Sequence, residues 1–114
     1  MSGPGYHFKK GAKMIRWTRK ARIAQGKRQE AIQWAKETRE YTKTKFEGGA
    51  DTKIFLETLG DYDVICWMVD FENLATLELA GKALDADSGY QERLKAGGEL
   101  FLPGTVDKVY SSVD

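Results

Sequence analysis

Cysteine, histidine and proline are scarce in this 114-residue chain, which has one, one and two of them respectively. A single cysteine, Cys66, closes no internal disulfide, which fits a reducing compartment and a cytoplasmic setting. It stands in an apolar run, where a thiol more often serves as a small buried hydrophobe than as a nucleophile. One histidine and one cysteine give no pair at ligand spacing, so the sequence implies neither a metal site nor a cofactor. His7 falls in the glycine-containing stretch 1–12, which reads as a flexible N-terminal arm, a poor place for a haem ligand or a triad base. No glycine-rich loop opens a helix, since Gly97-Gly98 follows one, and phosphate-cradle chemistry is excluded with it. The longest apolar runs are too short to cross a bilayer, so no membrane partner is expected. The opening residues also lack the basic-then-apolar order of a secretion signal.

Acidic residues are absent from the first 29 positions. Lys9, Lys10, Lys13, Arg16, Arg19, Lys20, Arg22, Lys27 and Arg28 precede the first acid, Glu30. The remainder carries −8, which brings the whole chain to +1. Such a block can bind nucleic acid. The near-neutral total favours the plainer reading, that the block meets acids of the same fold or of a twin subunit.

What is abundant is periodic hydrophobicity. Val64 to Phe71 reads as a central strand. One parity holds Ile65, Trp67, Val69 and Phe71, and the other Val64, Cys66, Met68 and Asp70. A strand with one wet face alternates apolar with polar, whereas this one is apolar on both faces until its end. Met14 to Ile23 makes an opening strand with Ile15, Trp17, Ala21 and Ile23 on one side, interrupted by Arg19. Lys27 to about Phe46 carries Ala31, Trp34, Ala35, Thr38, Tyr41, Thr42 and Phe46 at helical spacing, and Gly48-Gly49 stops it. Lys53 to Leu59 is a second strand, joined to the central one through the turn Gly60-Asp61-Tyr62-Asp63. Asn73 caps a helix bearing Leu74, Leu77, Ala80, Gly81 and Leu84. Ser88 is the expected cap of a further segment with Tyr90, Leu94, Gly97 and Phe101, and Val106 to Val113 is the last strand.

The order β-α-β-β-α-β predicts an α+β, ferredoxin-like domain over residues 13–114, a four-stranded antiparallel sheet with its helices on one face. The other face is left bare. Its apolar positions suggest two sheets packed face to face in a homodimer. Met14, Cys66 and Met68 are the expected contacts if their parity faces out, and Ile15, Trp17, Trp67 and Val69 if it does not.

The segment IRWTRKARIAQGK (Ile15 to Lys27) runs from a strand into a Gly-Lys turn before a long helix. Within Val64 to Val113, FENLAT, ALDADSGYQERL and PGT follow in order. Over most of residues 14–113 these segments resemble the dimeric α/β-barrel superfamily and, within it, the NIPSNAP-like branch. That branch often has a tyrosine near Ala21 and a proline near Gln25; this chain has neither. The resemblance implies a homodimer with a pocket between helices and sheet in each subunit. Members include cofactor-independent monooxygenases, haem-degrading enzymes, isomerases and many uncharacterised proteins, so function has to be argued from the site.

Arg19 is the leading site candidate. It is one charge inside an apolar strand face, and the resembling branch often carries an arginine at that place. A guanidinium there could hold a carboxylate or enolate through two hydrogen bonds. The competing reading is an internal salt bridge to Glu57, Asp70 or Glu72. Trp17, Trp34 and Trp67 are candidates for an apolar pocket wall, against the plainer alternative that they are core. The expected function is binding of a small apolar or aromatic acid. A cofactor-independent monooxygenase or isomerase is the alternative, and nucleic-acid binding is the least favoured class.

Overall fold

A computed structural model describes residues 13–113. The expected arm over 1–12, with His7, lies outside them, as does Asp114. The strands are β1 (Ile15–Arg22), β2 (Lys53–Leu56), β3 (Val64–Phe71) and β4 (Val106–Ser111); the helices are α1 (Arg28–Thr42), α2 (Leu74–Asp85) and α3 (Ser88–Gly97). They form one four-stranded antiparallel sheet in the order β2-β3-β1-β4, the ferredoxin-like arrangement.

Register fixes which side chains share a face. Ile15 lies opposite Phe71, Trp17 opposite Val69, Arg19 opposite Trp67 and Ala21 opposite Ile65. This parity faces the helices. Ala21, Ile23 and Ile65 bury against Ala31 and Ala35 of α1, while Ile15, Val69 and Phe71 bury with Ala80 of α2. Alanines on the helix side let α1 lie close to the sheet, and Ile65 is fully buried. The assignment that put Ile15, Trp17, Trp67 and Val69 on the bare face is therefore excluded.

Several element ends differ from the sequence reading; β1 runs Ile15–Arg22 and not Met14 to Ile23, and β4 ends at Ser111 and not at Val113. α1 stops at Thr42 because the next turns tighten to i→i+3 bonds, Lys45 N–H donating to the Thr42 carbonyl and Gly49 N–H to that of Phe46. Gly48, at φ 91°, lets the chain reverse there, and Phe46 meets Phe71 at 6.1 Å between ring centroids. β2 ends at Leu56, and Leu59 is 92% exposed. The cap of α3 is Asp87, whose carboxylate accepts from Tyr90 N–H, so Ser88 is the first helical residue. Asn73 caps α2 as expected, accepting from Thr76 N–H.

The open face is not the bare apolar surface the central strand suggested. β1 sets Arg16, Thr18 and Lys20 beside Asp70, Met68 and Cys66 of β3. Arg16 holds Asp70 through Nε–Oδ1 at 2.8 Å and Nη2–Oδ2 at 3.0 Å, and Lys20 meets Glu57 at 3.0 Å. Thr18 and Val64, of the same parity, are buried as well. Apolar surface remains at Phe55, Val106 and Tyr110, each about half exposed. A sheet face is the sum of its strands, and one strand's pattern overstated its hydrophobicity.

Candidate functional site

Between the helix layer and the sheet lie three adjoining hollows of about 80, 240 and 310 Å³, each bordered by Arg19 and Leu94. Trp17 borders the first two, and Trp34 and Trp67 the first and third. The fold thus brings Arg19, Trp17, Trp34 and Trp67 to one cleft.

The tryptophans arrive by different routes. β1 presents Trp17 and β3 presents Trp67 through strand parity, and α1 presents Trp34 from one turn beyond Ala31. Trp34 donates its indole N–H to the Arg93 carbonyl at 3.0 Å, which fixes its ring. It meets Trp67 edge-on at 6.3 Å and Phe101 at 5.4 Å, with Trp67 and Phe101 5.9 Å apart. Such contacts contribute roughly 0.5–1.5 kcal/mol each beyond area burial. Trp34 and Trp67 are thus core and cleft wall at once, and the two sequence alternatives describe two sides of the same rings.

Arg19 is held by an acid that the sequence reading did not name. Its Nε donates to Asp107 Oδ1 at 2.7 Å and its Nη2 to Oδ2 at 2.8 Å. Asp107 is its direct cross-strand neighbour on β4, whereas Glu57 serves Lys20 and Asp70 serves Arg16. The pair raises the Arg19 pKa and holds the Asp107 carboxyl below its ordinary value. Burial pushes the Tyr90 phenol up, and the nearby Arg19 guanidinium partly opposes that. The guanidinium also lies 5.3 Å from the Trp17 ring centroid. An arginine so paired adds little net charge to the cleft, yet it still offers hydrogen-bond donors beside a half-buried phenol.

Sequence reasoning missed Tyr90, Arg39 and Leu94 as cleft residues. For Tyr90 and Leu94 the signal was present in the helical stripe after Asp87. Arg39 sits beside that of α1 and carried no pattern of its own.

Six members of the basic block are answered within the fold: Arg16 by Asp70, Arg19 by Asp107, Lys20 by Glu57, Arg22 by Asp61, Lys27 by Glu30 and Arg28 by Asp63. Among the described residues no cluster of three or more His, Cys, Asp or Glu is placed to hold a metal, and no helix is long and apolar enough to cross a membrane.

No family model and no curated protein matches the chain. Solved structures do. A NIPSNAP family protein from Agrobacterium tumefaciens is 18% identical, with TM-score 0.73 over 96% of this chain and 94% of its own. A conserved protein from Methanosarcina mazei is 21% identical, with TM-score 0.66 over 85% and 90%. A protein from Caulobacter crescentus described as a candidate antibiotic biosynthesis monooxygenase is 12% identical, with TM-score 0.68 over 90% and 92%. At these identities the likeness is one of fold: the chain shares the ferredoxin-like α+β fold of NIPSNAP proteins and their monooxygenase-type neighbours.

Proposed function

We propose that this chain is a ligand-binding protein that takes a small, mostly apolar acid, aromatic or aliphatic, into the cleft between its helices and sheet. The observation that carries the reading is the convergence of Trp17, Trp34 and Trp67 with Arg19 on one apolar hollow. Apolar walls supply affinity, and a few fixed polar groups supply orientation. The ring or chain of the ligand lies among the tryptophans, and Arg19, held by Asp107, is one of the fixed polar groups at the edge of the hollow. In this reading the protein is a cytoplasmic homodimer, paired through the open sheet face around Met68, Cys66 and Tyr110. Met14, the third of the expected contacts, precedes β1. In the same reading nucleic acid is not its partner, since six of the nine basic side chains of the opening block are engaged in ion pairs.

One observation favours a second reading, a cofactor-independent monooxygenase or isomerase. The half-buried Tyr90 phenol stands beside the Arg19 guanidinium in an apolar hollow, a setting able to hold a phenolate or enolate. A thermal-shift screen of aromatic and fatty acids, followed by an oxygen-uptake assay on the binders, separates the two. Concentration-dependent stabilisation without uptake supports the binding protein; uptake with a phenolic binder supports the oxygenase. No stabilisation by any acid rejects both.

A further inference from the structure

Arg19 is the obvious anchor for an anionic ligand, but its charge is already matched by a bidentate carboxylate. Another corner of the same cleft has the opposite character. Arg39 lines it, half-buried, and makes no ion pair among the described residues. The preceding residue, Thr38, also lines it and is only 7% exposed. The Thr38 hydroxyl has no hydrogen-bond partner among the described residues, although buried hydroxyls are almost always satisfied. Thr42 and Thr52 stand in the same wall, but their hydroxyls donate to the carbonyls of Arg39 and Gly49 at 3.3 and 2.8 Å. The free donors of this wall are therefore one hydroxyl and one guanidinium, adjacent in sequence on α1. A group that accepts from both and balances a positive charge is an oxyanion.

We infer that the Thr38–Arg39 corner of the cleft, rather than Arg19, receives the carboxylate of the bound acid. The inference rests on the cleft-binding reading and adds the orientation of the ligand and the basis of its selectivity. The carboxylate accepts from the Thr38 hydroxyl and the Arg39 guanidinium, and the apolar body extends toward Trp34, Trp67 and Trp17. The ligand class is then an aromatic or alicyclic monocarboxylate, and its neutral amide is discriminated against.

The test compares 1-naphthoate with 1-naphthamide, titrated into the full chain and followed by calorimetry. The wild type should bind the acid at least about tenfold more tightly than the amide, the range expected for hydrogen bonds to a charged group. Arg39→Gln should erase that preference by weakening the acid much more than the amide, and saturable amide binding shows that the cleft is intact. The double variant Arg19→Gln/Asp107→Asn, which removes both charges of that pair, should change both affinities by the same factor and keep the preference. Thr38→Val supplies a second route if Arg39→Gln does not fold. It should weaken the acid while the ligand-free melting temperature stays level or rises, since an unsatisfied hydroxyl has been removed. Equal binding of acid and amide by the wild type, or a preference that survives Arg39→Gln, overturns the inference and leaves the cleft reading standing. A preference lost only in the double variant returns the carboxylate to Arg19. Failure of both probes to bind rejects the cleft reading, and the inference with it.

Discussion

Arg19 shows how far a single residue can be read from sequence. That a charge inside an apolar strand face needs an anion follows from the cost of burying it alone, and Asp107 meets that need. Which acid does so depends on the pairing of β1 with β4, strands 91 residues apart at their first positions, and no local pattern encodes that register. The ion pair has a pH signature. The carboxyl of Asp107 is depressed by Arg19 below its ordinary value of 3.8, so its contribution to stability is fully present above that value. It is lost as pH falls through the lower folded value. Both side chains are a third or more exposed, at 33% and 43%, so the pair is worth no more than about 1 kcal/mol at neutral pH. Asp107→Asn should therefore lower the urea midpoint slightly at pH 7 and match the wild type once pH has fallen below the depressed folded value of Asp107. A gap that stays constant down to acid pH would mean that Asp107 acts through packing and not through its charge.

At the scale of elements, the sequence was most legible where one element carried its own pattern. β3 begins and ends where alternation and turn chemistry placed it, and Asn73 caps α2 by the mechanism its position suggests. Legibility failed where two elements share a decision. The open face looked apolar from β3 alone, and Arg16 and Lys20 of β1 changed its character. Past the end of α1, Phe46 packs on Phe71, a residue on another element that the helical stripe does not encode. The α1–α3 contact gives a direct check on how tightly the cleft wall is built. Gly97 lies against the Trp34 indole, and a methyl group added there would overlap the ring. The ring has little room to yield, being bonded to the Arg93 carbonyl and packed on Trp67 and Phe101. Gly97→Ala should destabilise the protein by roughly 1–3 kcal/mol through overpacking, measured by urea denaturation. It should also change the intrinsic tryptophan emission of the folded state. A neutral or stabilising result would show that α3 can move away from α1 at little cost.

For the molecule as a whole, the layered sheet and helices leave one sheet face without a cover, and the proposed dimer buries it. Light scattering at micromolar concentration should give twice the mass of the chain, and Met68→Asp should halve it by placing a charge among Cys66, Tyr110 and their counterparts. A stable single-chain mass for the wild type at all concentrations would remove the homodimer and leave the cleft of each subunit untouched. The central claim, that the helix–sheet cleft is a binding site for small acids, has three built-in reporters. The chain holds three tryptophans and all three line the cleft, so their indole N–H signals sample it from β1, α1 and β3. The most direct measurement is an amide and indole NMR titration of the full chain with 1-naphthoate. Saturable shifts of all three indole signals, with Thr38 and Tyr90 among the most displaced amides and the open-face strand residues Lys20, Cys66 and Lys108 unmoved, are the result expected. Shifts confined to the open sheet face, or no saturable shift of any indole, would contradict it.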